Sequence, residues 1–156
     1  MVIRLREARP DDRSFLLEVY AVTRAAELSL APLDDAQKQA FVEMQFQAQD
    51  SYYREKFSQA EYQVILRDDE PVGRLYVLRE KKEIQILDIT LLPQHRNQGI
   101  GGSLIQGLLD EGRKKALSVQ IFVEPGNPSL HLFERLGFSK LREEGFNYLL
   151  QWRPSG

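Results

Sequence analysis

The sequence predicts a mixed α/β fold, in which one layered, largely antiparallel α+β sheet carries helices. Three observations carry the prediction. The apolar residues recur at helical spacing over the first third of the chain and then change to a period of two from Glu61 onward. Three strand-like runs, 61–67, 71–79 and 83–92, follow one another with only Asp68-Asp69-Glu70 and Glu80-Lys81-Lys82 between them, which is the pattern of an antiparallel meander. Helical and strand patterns then alternate to the end, as expected when part of the sheet is joined by crossovers.

Each element has its own local reason. Residues from about 2 to 8 alternate apolar and charged, a first strand. Pro10-Asp11-Asp12 supplies turn and cap chemistry for a helix that carries Phe15, Leu16, Val19, Tyr20 and Val22 and runs to about Leu28. Pro32 and Asp34-Asp35 reset the chain for a second helix, with Phe41, Met44, Ala48 and Tyr52 on one face and Phe46, Tyr53 and Phe57 on another. Apolar residues over so much of its circumference predict deep burial of this helix, with a substrate pocket or a homodimer contact as other uses for the face. After the meander come a glycine-rich turn, a helix with Leu104, Ile105, Leu108 and Leu109, and a strand over 118–124. A short helix over about 128–136 and two final strands follow, opened by Gly137-Phe138 and turned at Gly145.

Composition narrows the chemistry. At 156 residues the chain is long enough to bury a core without staples, and residues 1–156 are read as a single domain. No cysteine occurs, which excludes disulfides, thiolate metal sites and cysteine nucleophiles. Two histidines far apart, with no paired carboxylate spacing, predict no metal. With 21 basic and 23 acidic side chains the formal charge is −2, so nothing electrostatic points to nucleic acid, and a small-molecule partner is expected. No apolar run approaches the roughly 20 residues that span a bilayer, and the start lacks the apolar region of a signal peptide. No membrane association and a cytoplasmic location are the expectations.

The segment Leu91-Leu92-Pro93-Gln94-His95-Arg96-Asn97-Gln98-Gly99-Ile100-Gly101-Gly102-Ser103 lies between a strand and an apolar-striped helix. Its glycines clear side chains from a place where backbone N–H groups converge, the helix aims its positive end there, and Arg96 can fork onto phosphate oxygens. A phosphate loop of the Walker type needs a lysine and Ser/Thr after the last glycine, and Gly102-Ser103-Leu104 has none. A dinucleotide fingerprint needs a third glycine where Leu104 stands, close to the first strand of a βαβ repeat.

A second segment separates the remaining reading: Asn127-Pro128-Ser129-Leu130-His131-Leu132-Phe133-Glu134-Arg135-Leu136-Gly137-Phe138. Together the two segments resemble the GNAT superfamily of acyl-CoA-dependent N-acyltransferases. The phosphate-loop pattern Gln/Arg-x-x-Gly-x-Gly/Ala is matched by Arg96, Gly99 and Gly101, and the second pattern is matched except at Ser129 and Phe133. The resemblance implies the element order β-α-α-β-β-β-α-β-α-β-β, with the sheet splayed between the strands ending at Leu91 and near Val123 so that the pantetheine arm of acetyl-CoA fills the gap. It implies that Ile89, Leu91 and Leu92 bond the arm and acetyl oxygen. It also implies that Arg96, Asn97, Gln98, Gly99, Ile100, Gly101, Gly102 and Ser103 hold the pyrophosphate, and that Asn127, Ser129, Leu132 and Phe133 border the arm and thiol. Core packing is the competing reading for Leu132, Phe133 and Phe138.

The reaction so implied is attack of a neutral amine, on a small molecule or a peptide, on the thioester carbonyl, with strand N–H groups stabilising the oxyanion. A base is required because amines arrive protonated. Asp88, an acid inside the apolar run 84–89, and Glu124, at the end of a strand flanking the gap, are the candidates. Ordering of the sheet by Asp88 and plain solvation of Glu124 are the competing readings. Phe133 stands where many family members carry a tyrosine that protonates the leaving thiolate, which makes a non-catalytic acyl-CoA-binding domain the alternative function. Tyr148 on the last strand is either a second source of that proton or a half-buried strand aromatic. Arg24, Glu27 and Tyr76 are the candidate acceptor-lining residues, against a solvated ion pair for the first two.

Overall fold

Seven strands and four helices form in the computed structural model, which describes residues 1–155. In chain order they are β1 (Ile3–Glu7), α1 (Arg13–Ser29), α2 (Asp35–Lys56), β2 (Glu61–Arg67), β3 (Glu70–Arg79), β4 (Glu83–Leu91), α3 (Ile100–Lys115), β5 (Ser118–Val123), α4 (Ser129–Arg135), β6 (Ser139–Glu144) and β7 (Asn147–Trp152). The order is the one expected from the sequence, and each boundary falls within two residues of its turn or cap signal. The strands form one mixed, largely antiparallel sheet in the order β1-β2-β3-β4-β5-β7-β6.

The β2–β3 turn is tight because Asp68 and Asp69 both take positive φ, 47° and 71°, a conformation that short acidic side chains tolerate. β1 runs antiparallel to β2 from Ile3 opposite Arg67 to Glu7 opposite Gln63. β4 runs parallel to β5, and β7 is antiparallel to both β5 and β6. β6 is exposed along its whole length and carries a register shift between Lys140 and Arg142, so this edge is charged and bulged, as solitary edges usually are.

The chain divides into two compact units, one of residues 1–74 with 90–95 and one of 75–89 with the remainder from Arg96. In the first unit, Leu16 and Tyr20 of α1, Val42 and Phe46 of α2, and Val64 and Leu66 of β2 form a buried cluster. Arg6 grips Asp12 with two hydrogen bonds, 2.7 and 2.8 Å, and the same carboxylate accepts the Arg9 N–H at 2.7 Å. The hydrogen bonds from Arg6 hold the Asp12 pKa down at about 2.

Burial of α2 departs from expectation. Phe41, Met44 and Tyr52 are 38%, 61% and 52% exposed, so the face they define looks outward, while Val42 and Phe46 are buried. The inward stripe is Val42, Gln45, Phe46, Gln49 and Tyr53, whose two glutamines break up its apolar signature. One of them has a structural reason to be there: Gln49 Oε1 accepts from Arg74 on β3 at 3.0 Å, and Arg74 is only 2% exposed.

In the second unit, α3 lies on β5 and β7. A Cβ at Gly112 would come within 2.9 Å of the Trp152 ring and 3.5 Å of Val119, so the absence of a side chain there sets how closely the helix seats. Arg79 of β3 ties down α3 through Glu111, at 2.7 and 3.0 Å.

Candidate functional site

The second unit contains a place where the sheet opens. The parallel register of β4 and β5 runs from Glu83 opposite Ser118 to Ile86 opposite Ile121 and ends there, although β4 continues to Leu91 and β5 to Val123. Leu87, Asp88 and Ile89 therefore lie beyond the last parallel pair, all half-buried. Backbone groups in such a gap require partners.

α3 begins with an open end. Its N-cap is Gly99 at φ 81°, left-handed, with no side-chain hydrogen bond to the first turn, and Asn97 is also left-handed at φ 61°. Successive turns of this kind form a concave nest of N–H groups suited to an anion. Nothing would lie within 4 Å of a Cβ at Gly99, so glycine is required there by backbone conformation and not by space. Ile100 is 1% exposed and pins the first turn to the core. The first intrahelical bond joins Ser103 N–H to Gly99 O at 3.0 Å. The donors that the helix itself leaves unmatched are thus those of Gly99, Ile100, Gly101 and Gly102. Ser103 retains an exposed hydroxyl, but its N–H is occupied. Arg96, Asn97 and Gln98 are exposed on the approach to this end.

α4 is held near the same turn. A Cβ at Gly102 would stand 3.7 Å from Leu132 Cδ1. Asn127 Oδ1 accepts the N–H of Ser129, the first residue of α4, at 2.9 Å from one position before the Pro128 N-cap. Ser129 and Leu132 are half-buried, whereas Phe133 is 1% exposed and packs edge-on against Phe138 at 5.2 Å. A helix start at a glycine N-cap, an adjacent arginine and a gap between parallel strands together have the shape of a site for a diphosphate with an extended tail.

Comparison with known proteins bears on what occupies such a site. The profile of the acetyltransferase (GNAT) family matches residues 29–138, which span α2 to α4 and include β4 and β5 on either side of the gap. The chain belongs to this family. GNAT proteins transfer an acetyl group from acetyl-CoA to an amine. No curated protein matches the chain. Among solved structures it is similar to the PaiA N-acetyltransferase of Thermoplasma acidophilum in complex with coenzyme A, at 16% identity and TM-score 0.72 over 98% of this chain and 99% of that one. It is also similar to an acetyltransferase of Thermus thermophilus, at 17% identity and TM-score 0.68 over 98% and 97% of the two chains. A third is Arabidopsis thaliana Naa50 in complex with the bisubstrate analogue CoA-Ac-MVNAL, at 19% identity and TM-score 0.64 over 97% and 99%.

The remaining GNAT candidates are placed as follows. Asp88 is half-buried on β4, two residues past the last pair with β5, and Glu124 is exposed just after β5. Tyr76 is 1% exposed inside the second unit. In the first unit, Leu92 is buried and both of its main-chain groups serve the fold: its N–H donates to Val72 O and its carbonyl accepts from His95, each at 2.9 Å. Leu91 is half-buried. A Cβ at Gly73 would sit 2.3 Å from Thr90 O and 3.1 Å from Leu91 Cα, so the missing side chain lets β3 lie against the end of β4.

Arg24 and Glu27 pair on α1 at 3.2 Å, and Arg24 Nε also donates to the Tyr20 hydroxyl at 3.1 Å. Burial disfavours the Arg24 charge, but Tyr20 and Glu27 outweigh it and raise the pKa. The Tyr20 ring is flanked by two guanidinium groups, Arg24 at 5.5 Å and the buried Arg74 at 5.9 Å. Arg74 was not singled out by the sequence pattern; its signal is a charge in the middle of the strand run Val72-Gly73-Arg74-Leu75-Tyr76. Among the described residues no group of three or more His, Cys, Asp or Glu side chains is arranged to hold a metal, and no helix is long and apolar enough to cross a membrane.

Proposed function

We propose that this GNAT protein takes up acetyl-CoA at the second unit's open helix end and acetylates a primary amine on a small molecule or a peptide. The observation that carries the reading is α3's start: four N–H donors at Gly99–Gly102 that the helix itself does not use, a glycine at the N-cap, and Ile100 buried so that the turn cannot swing away. Those donors and Arg96 would hold the diphosphate, and the backbone of β4 at Ile89, beyond its parallel pairing, would bond the amide-rich arm as a missing strand would. Ser129 and Leu132 would border the arm on α4.

Acetyl-CoA, when bound, supplies the activated acyl carbon and a good leaving group. This chain's residues must deliver a neutral amine. Asp88 is the better placed base: it is half-buried beside the gap, whereas exposed Glu124 keeps its full hydration. Arg24 and Glu27 are the residues proposed to select the acceptor, the first for an anionic substituent and the second for a cationic one. Both peptide and small-molecule acceptors are kept, because the solved relatives include Naa50 with a peptide-bearing analogue alongside proteins described only as acetyltransferases. A cytoplasmic location goes with this reading, since a multiply charged acyl-CoA does not cross membranes unaided.

Calorimetry with acetyl-CoA, followed by thiol release in the presence of amino acids, polyamines, aminoglycosides and peptide N-termini, tests the reading. Binding followed by acceptor-dependent thiol release is the expected result. Phe133, buried and without a hydroxyl, favours a second reading, a GNAT domain that binds acyl-CoA without turnover. Tight binding with no thiol release to any amine would select it.

A further inference from the structure

A sulfur leaving at the end of the β4–β5 gap needs a proton, and the side chains around it differ in whether they can give one. Phe133 and Phe138 fill the buried positions on and after α4 and carry no exchangeable hydrogen. Glu124 and His131 are exposed, where solvent competes with any transfer they could make. Tyr148 is different. It is half-buried near the start of β7 and lies directly opposite Val123, the last residue of β5.

Its face is set by strand alternation. Tyr148, Leu150 and Trp152 share one side of β7. Trp152 identifies that side: a Cβ at Gly112 of α3 would come within 2.9 Å of its ring, and a Cβ at Gly137, just after α4, within 3.3 Å. Tyr148 is therefore on the face covered by α3 and α4, at the end where β5 has lost its parallel partner. Lys140 stands 4.2 Å from the centre of the Tyr148 ring, a cation–π contact that fixes the ring while leaving the hydroxyl uncommitted to the ammonium.

We propose that the Tyr148 hydroxyl donates the proton to the departing sulfur in this protein; the role rests on the acetyltransferase reading above. The attacking nitrogen forms a bond to the acetyl carbon as the carbon–sulfur bond breaks. The electron pair left on sulfur takes the phenolic hydrogen, giving a free thiol. The proton shed by the attacking nitrogen restores the phenol through solvent, so an amide and a thiol form with no further reactant.

The test uses Tyr148→Phe and two independent readouts. In turnover, kcat at neutral pH falls about tenfold or more, KM for acetyl-CoA stays within about twofold because no binding group is removed, and the gap between variant and parent closes as pH rises towards about 10. In the absence of any acceptor, the thiol of bound coenzyme A, followed by thiolate absorbance, titrates about one pH unit higher in the variant, since the donor that steadied the thiolate is gone. A parent-like rate, or a loss that is constant with pH and leaves the thiol titration unmoved, would overturn the assignment. Should Tyr148→Phe fold poorly, replacement of Tyr148 by 3-fluorotyrosine keeps the ring and must move the alkaline limb of the parent to lower pH; an unmoved limb overturns the assignment equally. A parent protein that neither binds acetyl-CoA nor releases thiol to any amine would sink the acetyltransferase reading itself, and the Tyr148 role with it.

Discussion

At the start of α2, Asp34 accepts the Gln37 N–H at 2.8 Å and Gln37 returns a bond to the Asp34 N–H at 2.9 Å. At the start of α3, the N-cap is Gly99, which has no side chain to offer. A reciprocal cap of the first kind is worth about 1 kcal/mol to a helix, so α3 forgoes stability that α2 secures with two ordinary residues. The entry to α1 is built differently from that of α2: its N-cap, Asp12, makes no side-chain bond to the first turn and instead accepts from the Arg9 N–H and the Arg6 guanidinium before the helix. The difference teaches that α2 is closed by its own side chains, while α3 starts on a glycine that can give no such bond, which is the feature the proposed acetyl-CoA site uses.

The largest effect is expected where the open end is blocked. Gly101→Val puts a branched side chain among the donors and should lower acetyl-CoA affinity by about a hundredfold or more, with little change in melting temperature, because valine is no worse than glycine inside a helix. Calorimetry beside a thermal melt measures both, and undiminished affinity would mean that α3's bare start has no ligand. Next in size is Arg96→Ala, which removes a charge-assisted contact to phosphate. Affinity should drop about tenfold or more, and the salt dependence of binding should flatten; a salt slope equal to the parent's would remove Arg96 from the site.

The starts of the first two helices should respond to acid and to truncation instead. Asp12 is held at about 2, below its ordinary 3.8, so its contribution is fully present above about pH 4 and is lost as pH falls through about 2. The loss is on the order of 2 kcal/mol, partly screened because Arg6 is 28% exposed. Chemical denaturation at stepped pH should show this acid limb in the parent and a much weaker one in Asp12→Asn. The smallest effect belongs to α2: Asp34→Ala should cost about 1 kcal/mol and leave acetyl-CoA affinity untouched. A change in affinity from Asp34→Ala would blur the distinction between closed and open helix starts.

Element order, the glycine nest and the GNAT pattern were legible because they depend on local rules. Turn residues such as Asp68-Asp69 and cap residues such as Asp34 act within a few positions, and the α3 start is written in three glycines and one arginine. The inward face of α2 was not legible. Apolar spacing through Phe41, Met44 and Tyr52 competes with the buried stripe of Val42 and Phe46, whose interposed Gln45 and Gln49 hide it. The reason for Gln49 lies on another element, because it accepts from Arg74, and that pairing cannot be found by period. Leu92 illustrates the same limit: its backbone was expected to serve a ligand, yet Val72 and His95 already use it.

By itself, then, the amino-acid order determined which segments become helix or strand and where the glycine turn opens α3, because backbone sterics, caps and turns operate over a handful of neighbouring residues. Tertiary structure alone decided which α2 stripe faces inward, that Arg74 is buried against Gln49, and that Tyr148 stands opposite Val123 on the α3–α4 face. Those outcomes follow from strand register and from the need to satisfy buried charge, both of which couple residues far apart in the chain.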